Sequence, residues 1–485
     1  MASPFTIHIG PSDTGLWRIQ QTEAAAKCTS RLLQHDIDNY HVFFNDEGFH
    51  NHASHLILAL YGTGAAEQTI ERADAESNTY RIPVKRLRED VEDKLDDWWQ
   101  AKRFLGKPVY YSNWLHFYQK KMEEMGWKAV LQKYLFNDNE RGIDLSTRMY
   151  SSFVHPLIQL MYGIEWEQPA LIAMGLAQAS VHPDDLKPML TAADTEANSE
   201  PDPSSPLPSI LDLVEAIRND EHLTNLAPPD LVDDISERLF PLAWDRILYY
   251  LAKVRVNPEE IGVKTAEMYS TVVYTAAAAA IRPPKEPRFD FVFVHHINAS
   301  PMQVFINEKL WIPDTVKGRW LEWKIRLFLI EYIARGCPPL AKDYLDQYMA
   351  TSSKPTSKGQ PHFLISAKPK YLVKSVQLRF YDSDYDVEYR VRHAQTAKDD
   401  GHIIKLIRAL RIGQMACRGY EQRPGIHIKG DEAWDRIEQL VIDSIGTGGD
   451  FSNKWVLNTG FEEAWKVNHI LSRLNTELTN FLDYT

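Results

Sequence analysis

Apolar positions along this chain recur mostly at three- and four-residue intervals, the spacing of helices that bury one face. Residues 51–61 (NHASHLILALY) are apolar nearly all round, which predicts a fully buried helix, ended by Gly62-Thr63-Gly64. Residues 65–75 predict an amphipathic helix and residues 91–101 one rich in exposed charge. Residues 114–126, 128–136, 171–181 and 210–218 carry helical spacing, as do residues 146–166 with an interruption at Pro156. His402 opens a further helix-like run, HIIKLIRAL.

Strand signals are sparse. Residues 376–381 (VQLRFY) alternate as a strand does, and residues 289–294 (FDFVFV) read equally as strand or buried helix. Residues 192–209 have the composition of a flexible tether, with Pro201, Pro203, Pro206 and Pro208 among several acids. Residues 351–361 form a second such loop, and Gly446-Thr447-Gly448-Gly449-Asp450 a shorter break. The pattern predicts a mainly α, multi-helical single body over residues 1–485, with few short strands and no internal repeat.

Composition narrows the function more than the fold. The chain has 485 residues, 44% hydrophobic and 25% charged, enough apolar material for a large core. A net charge of −12 and a pI near 5.8 disfavour a nucleic-acid or anionic-membrane partner, which would want a basic face. Cys28, Cys337 and Cys417 are far apart and odd in number, so neither a disulfide framework nor a thiolate zinc site is expected. The start, MASPFTIH, lacks the pattern of a secretory signal, and no run approaches the ~18 apolar residues of a membrane span. The final FLDYT is no peroxisomal address, and a reducing, cytoplasmic setting is the expectation. There is no GxGxxG, Walker A loop, GxSxG elbow or HExxH, which disfavours a Rossmann-type dinucleotide enzyme.

The chemistry that remains is carried by histidine. His52, His55, His155, His295 and His402 lie in or beside unusually apolar stretches. Buried imidazoles from distant segments are how a nitrogen- and oxygen-ligated metal site is built. His52 and His55, three apart, share a helix face, although a hydrogen-bonded core pair would look the same. His155 precedes Pro156 and so sits at a helix break, where it turns into a cavity or merely caps. His295 and His296 end an apolar run, one facing in and one out. Lys405, one turn beyond His402 on an aliphatic helix, is either paired with an acid such as Asp399 or Asp400, or deprotonated by burial. In the second case it could capture carbon dioxide, giving a carbamate oxygen that serves a metal as a glutamate would.

These residues also match a known family. The chain resembles the questin oxidase-like family through Tyr40-His41-Val42-Phe43-Phe44-Asn45, Gly48-Phe49-His50-Asn51-His52, His55-Leu56 and Ala59-Leu60-Tyr61. The match continues through Arg148-Met149-Tyr150, Phe153-Val154-His155-Pro156-Leu157-Ile158, Tyr162-Gly163-Ile164-Glu165, Gly175-Leu176-Ala177-Gln178-Ala179 and His182. It ends with Phe289-Asp290-Phe291, His295, Asp400-Gly401-His402, Lys405 and Arg408-Ala409-Leu410. Gln159 stands where the family often has histidine, and His296-Ile297-Asn298-Ala299-Ser300 departs from its more usual threonine–serine pattern.

The resemblance implies a fungal enzyme of secondary metabolism that opens an anthraquinone ring of a polyketide oxidatively. It implies ligands to a non-haem Fe²⁺ from one of His52 or His55, then His155, His295, His402 and carboxylated Lys405, with O₂ as co-substrate and carbon dioxide as the source of the carbamate. Asp399, Asp400 and Glu165 are candidates to orient an imidazole or relay a proton, Asp400 and Glu165 foremost, while His182 and His469 fall outside the cluster. The expected function is thus an iron-dependent dioxygenase acting on a small aromatic polyketide. Its rivals are an NADPH-assisted Baeyer–Villiger monooxygenase of the same substrates and a helical binding protein without activity.

Overall fold

Helices with no polar face become the centre of the molecule, because nothing on them gains by meeting water. In the computed structural model, which describes residues 1–43, 49–77, 81–199, 207–226, 235–350, 383–445 and 454–466, seven helices position the site. They are α1 (Ala53–Gly62), α2 (Ser151–Glu165), α3 (Pro169–Val181), α4 (Ile261–Ala280), α5 (Phe291–Ala299), α6 (Asp314–Ala334) and α7 (His402–Cys417). Every residue of α1 and α3 is buried, as is all of α4 from Thr265 onward.

α2 lies against α3, and α7 packs on α1, α4 and α5, while α5 also meets α2. Close approach is built in at Gly175, where a Cβ would sit 2.8 Å from the Leu160 backbone nitrogen. Helix starts are fixed by side chains. Asp290 accepts from Val292 N at 2.9 Å to open α5, and Asp399 accepts from Ile403 N at 2.7 Å to open α7. Between Asp399 and α7 the chain turns through two left-handed residues, Asp400 (φ 57°) and Gly401 (φ 78°). Glycine suits the second, since a Cβ there would lie 2.8 Å from Leu56 Cδ1 on α1.

The mainly α expectation holds, and most predicted helices appear, residues 210–218 with the expected bounds. Several details differ. Among the described residues no strand forms, only isolated bridges at Tyr40–Pro83, Phe43–His50 and Asp290–Val456. The run 289–294 divides accordingly: Phe289 accepts from Val456 N at 3.0 Å, and the helix begins at Phe291. Residues 91–101 do not form one helix but two short pieces, Glu92–Lys94 and Trp98–Ala101, because Asp97 caps a new start by accepting from Trp99 N. The loop expected at 192–209 starts later, since helix Lys187–Ser199 continues through its first eight positions. The loop at 351–361, the strand at 376–381 and the break at 446–450 lie outside the described residues. In α2 the interruption precedes Pro156: Ser152, Phe153 and Val154 all have positive φ (45°, 51° and 59°), and proline begins the helix proper.

Candidate metal centre

Four elements deliver imidazoles to one buried point. His52 is the N-cap of α1, His155 follows the left-handed turn of α2, His295 lies on α5 and His402 opens α7. Ligand nitrogens of His52, His295 and His402 lie within 4.8 Å of one another, and His52 Nε2 is 2.8 Å from His155 Nε2. All four residues are at most 7% exposed, a burial that leaves water little part in satisfying them.

The tautomers follow from the acceptors. Nδ1–H of His155 donates to the Ser152 carbonyl at 2.7 Å, that of His295 to the Phe291 carbonyl at 2.7 Å, and that of His402 to the Asp399 carbonyl at 2.6 Å. His52 Nδ1–H donates to the Asp400 carboxylate. Each ring therefore turns an unprotonated Nε2 inward. This is the arrangement in which metal-binding histidines are held by their other nitrogen. Between His52 and His155 two Nε2 lone pairs face each other with no proton left to share, and buried His295 Nε2 has no partner. A cation among His52, His295 and His402 would take up the His295 lone pair and draw the His52 lone pair from its opposition to His155, which adjoins that trio through His52 alone, so the residues present fit a metal ion.

Burial keeps these groups neutral, as ligation requires. Desolvation holds His52, His155 and His402 well below the usual imidazole range and His295 down to about 3. Lys405 is 3% exposed and one turn from His402. Burial brings its amine down to about 8, against a partial upward pull from Asp400 and Asp399. Its positive charge helps to hold His52, His55, His295 and His402 below the usual imidazole range.

His55 is placed differently from His52. Its Nε2 faces Gln159 Oε1 at 3.0 Å, an oxygen that also accepts from Ser54 Oγ at 2.5 Å. Of the two alternatives left open by the sequence, the geometry brings His52 to the cluster and turns His55 toward Gln159. His296 faces the other way from His295 and meets Lys324 Nζ at 3.0 Å. Asp400 and Asp399 serve as orienting groups, the second through its carbonyl, while burial raises the Asp399 carboxyl to about 7.

Glu165 is not brought to the imidazoles. It is ion-paired with Arg408, both side chains at most 2% exposed, and accepts from Leu16 N at 2.9 Å. Ten residues of helix, roughly 15 Å, separate it from His155, so it pins α2 to α7 rather than relaying protons. Glu165→Ala should leave the Arg408 charge stranded and cost about 3–5 kcal/mol of stability. Denaturant unfolding checks this.

Two further histidines were missed. His50 stacks on His155, ring centroids 3.8 Å apart and 6° from parallel, and its Nε2 lies 2.8 Å from His182 Nε2. His182 therefore does not stand apart from the cluster as expected; His469 lies outside the described residues. The signal for His50 was in the sequence, since residues two apart on an extended segment share a face, and His50 precedes His52 by two in the segment bridged to Phe43.

A model of questin oxidase-like proteins matches residues 49–410, a span that includes every imidazole described above. The chain belongs to the questin oxidase-like family. Relatives of this family cover nearly all of it. It is 29% identical over 474 residues to a questin oxidase of Aspergillus fumigatus, covering 96% of this chain and 99% of that one. It is 28% identical to the Baeyer–Villiger oxidase ptaJ of Pestalotiopsis fici, covering 95% and 97%. It is 30% identical to the oxidoreductase AflY of Aspergillus parasiticus, covering 94% and 86%. Membership makes this family protein an oxidoreductase and sets aside the reading of a binding protein without activity. Among the described residues no helix is long and apolar enough to cross a membrane.

Proposed function

We propose that this protein is a non-haem iron dioxygenase that cleaves the central ring of an anthraquinone-type polyketide with O₂. The observation that carries the reading is the His52–His155 contact, two buried Nε2 atoms 2.8 Å apart whose protons are both committed elsewhere. A metal ion between the two lone pairs makes that contact favourable, as would a second proton on His52 held by Asp400, and the nitrogen-rich, thiolate-free donor set suits iron. Ferrous iron bound there would supply the redox chemistry that O₂ requires. His52, His155, His295 and His402 would hold it. Lys405 would add an anionic oxygen after its neutral amine attacks carbon dioxide and releases a proton, offsetting charge that four neutral imidazoles leave uncompensated.

The residues around the cluster suit a flat aromatic substrate. Phe291 lies 4.5 Å from His295 and 4.8 Å from His402 by ring centroids, and Phe153 lies 5.8 Å from His295. Ser152, Phe153, Phe291 and Asp400 are less buried than the imidazoles they adjoin, so they form the side from which a planar ring would slide in and stack. Asp400, hydrogen-bonded to His52, would hold that ligand's proton while a phenol approaches.

The second reading is a Baeyer–Villiger monooxygenase that draws electrons from NADPH; names of relatives such as the Baeyer–Villiger oxidase ptaJ favour its reaction type and are silent on its electron donor. Elemental analysis of freshly purified protein separates the two. The dioxygenase reading expects iron near one per chain and turnover without NADPH. Less than a tenth of an equivalent of iron with activity intact would sink it, and so would activity restored by zinc, which has no redox chemistry.

A further inference from the structure

We propose that His50 and His182 form a positioning pair that sets the ring plane of His155 for metal capture. The inference rests on reading the cluster as a metal site, and it concerns two residues that are not themselves placed as ligands.

His182 ends α3, where its Nδ1–H donates to the Gln178 carbonyl at 2.6 Å. Its Nε2 must then accept, and the His50 nitrogen 2.8 Å away must donate. This second imidazole pair is complete in itself: one proton, one lone pair. It contrasts with His52–His155, which lacks the proton. Phe43 braces both members, 5.2 Å from His50 and 4.9 Å from His182 by centroid. Arg148 ties down the main chain of His182 by donating to its carbonyl at 2.5 Å. His50 is thus held in a fixed plane, and that plane lies on the face of His155 at 3.8 Å and 6°.

A face contact uses no lone pair. It restrains the tilt of His155 and leaves Nε2 directed at His52. The restraint acts where the backbone is strained: three successive left-handed residues, one of them β-branched Val154, precede His155 and persist only because their surroundings hold them. The Ser152 carbonyl fixes one edge of the ring, and the His50 stack fixes its plane.

The test is metal binding by the whole chain under anaerobic conditions, with Fe²⁺ and, separately, Co²⁺ as probes, the visible ligand-field band of Co²⁺ reporting ligand geometry. His50→Ala should weaken both metals by roughly 10–100-fold, the usual effect of removing a group that orients a ligand, and should shift the Co²⁺ band. His50→Phe keeps a ring on His155 but gives up the hydrogen bond to His182, so it should bind more tightly than His50→Ala and about as weakly as His182→Leu. His182→Leu, which removes the acceptor, should weaken binding, and His182→Gln, which supplies a carboxamide oxygen, should recover it; this pair decides the matter if His50→Ala does not fold by circular dichroism. Wild-type affinity in His50→Ala or His182→Leu overturns the proposal, as does His50→Phe binding as poorly as His50→Ala. If wild-type protein takes up neither metal, the metal reading fails and this inference with it.

Discussion

His402→Ala is expected to empty the centre of iron and end turnover while the helical signal stays in place. The fold should survive because α7 does not depend on the imidazole for its start: Asp399 Oδ2 accepts from Ile403 N at 2.7 Å, and the Gly401 turn packs on Leu56. The site should not survive. His402 is one of three residues whose ligand nitrogens fall within 4.8 Å. Losing a ligand should lower iron affinity beyond the roughly hundredfold that marks the upper end for losing a ligand's hydrogen-bond partner. Iron per chain, ring-cleavage rate and far-UV circular dichroism check the three parts together. His402→Ala with full iron and full rate would show that the ligand assignment is wrong at its centre. His155→Ala and His295→Ala should behave alike.

Lys405→Ala should cost nearly as much, and the reason can be read from pH. An ordinary lysine has roughly 0.4% of its amine neutral at pH 8, whereas burial brings Lys405 to about 8, where half is neutral. Only the neutral amine adds to carbon dioxide. Carbamate, and the iron it helps to hold, should therefore rise as pH climbs through about 8 and fall as pH drops toward 6. Iron loading at fixed metal concentration should follow that curve and should fall in buffers stripped of carbon dioxide, with bicarbonate restoring it. Growth with ¹³C-bicarbonate should give a carbamate carbon resonance that Lys405→Ala lacks. Lys405→Glu restores an anionic oxygen and should recover part of the iron if its shorter reach allows. A flat loading curve with no carbamate resonance would return Lys405 to an ammonium paired with Asp399 or Asp400. Lys121, a surface lysine paired with Asp96 and Glu124, should be replaceable without effect on iron.

Much of this centre was legible because burial leaves a strong trace in sequence. A histidine inside an apolar run, such as His295 in FVFVHH, must find a buried partner, as His296 beside it finds Lys324, and the all-round apolar runs became the all-buried helices α1 and α3. What the sequence did not separate was direction. His52 and His55 share a helix-like spacing, yet His52 is the N-cap with φ −95° and ψ 5° while His55 lies inside the helix. One residue of difference in where the helix begins sends one imidazole to the cluster and the other to Gln159. Glu165 failed for a related reason: its acidity was visible, but its partner Arg408 is 243 positions away, and nothing local announces such a pair. Residues 91–101 were misjudged because the cap at Asp97 competes with helix continuation, a contest that periodicity alone does not register.

The acceptors that fix the four inward-facing rings are not alike in kind. For His155, His295 and His402 the acceptor is a main-chain carbonyl, of Ser152, Phe291 and Asp399, and no point substitution deletes a carbonyl. For His52 it is the side chain of Asp400. Three of these rings thus keep their acceptors through any single-codon change, while the fourth rests on a residue that one base change can convert to asparagine, glycine or alanine. Heritable change in the hydrogen-bond acceptors of these four rings therefore has one side-chain address, position 400.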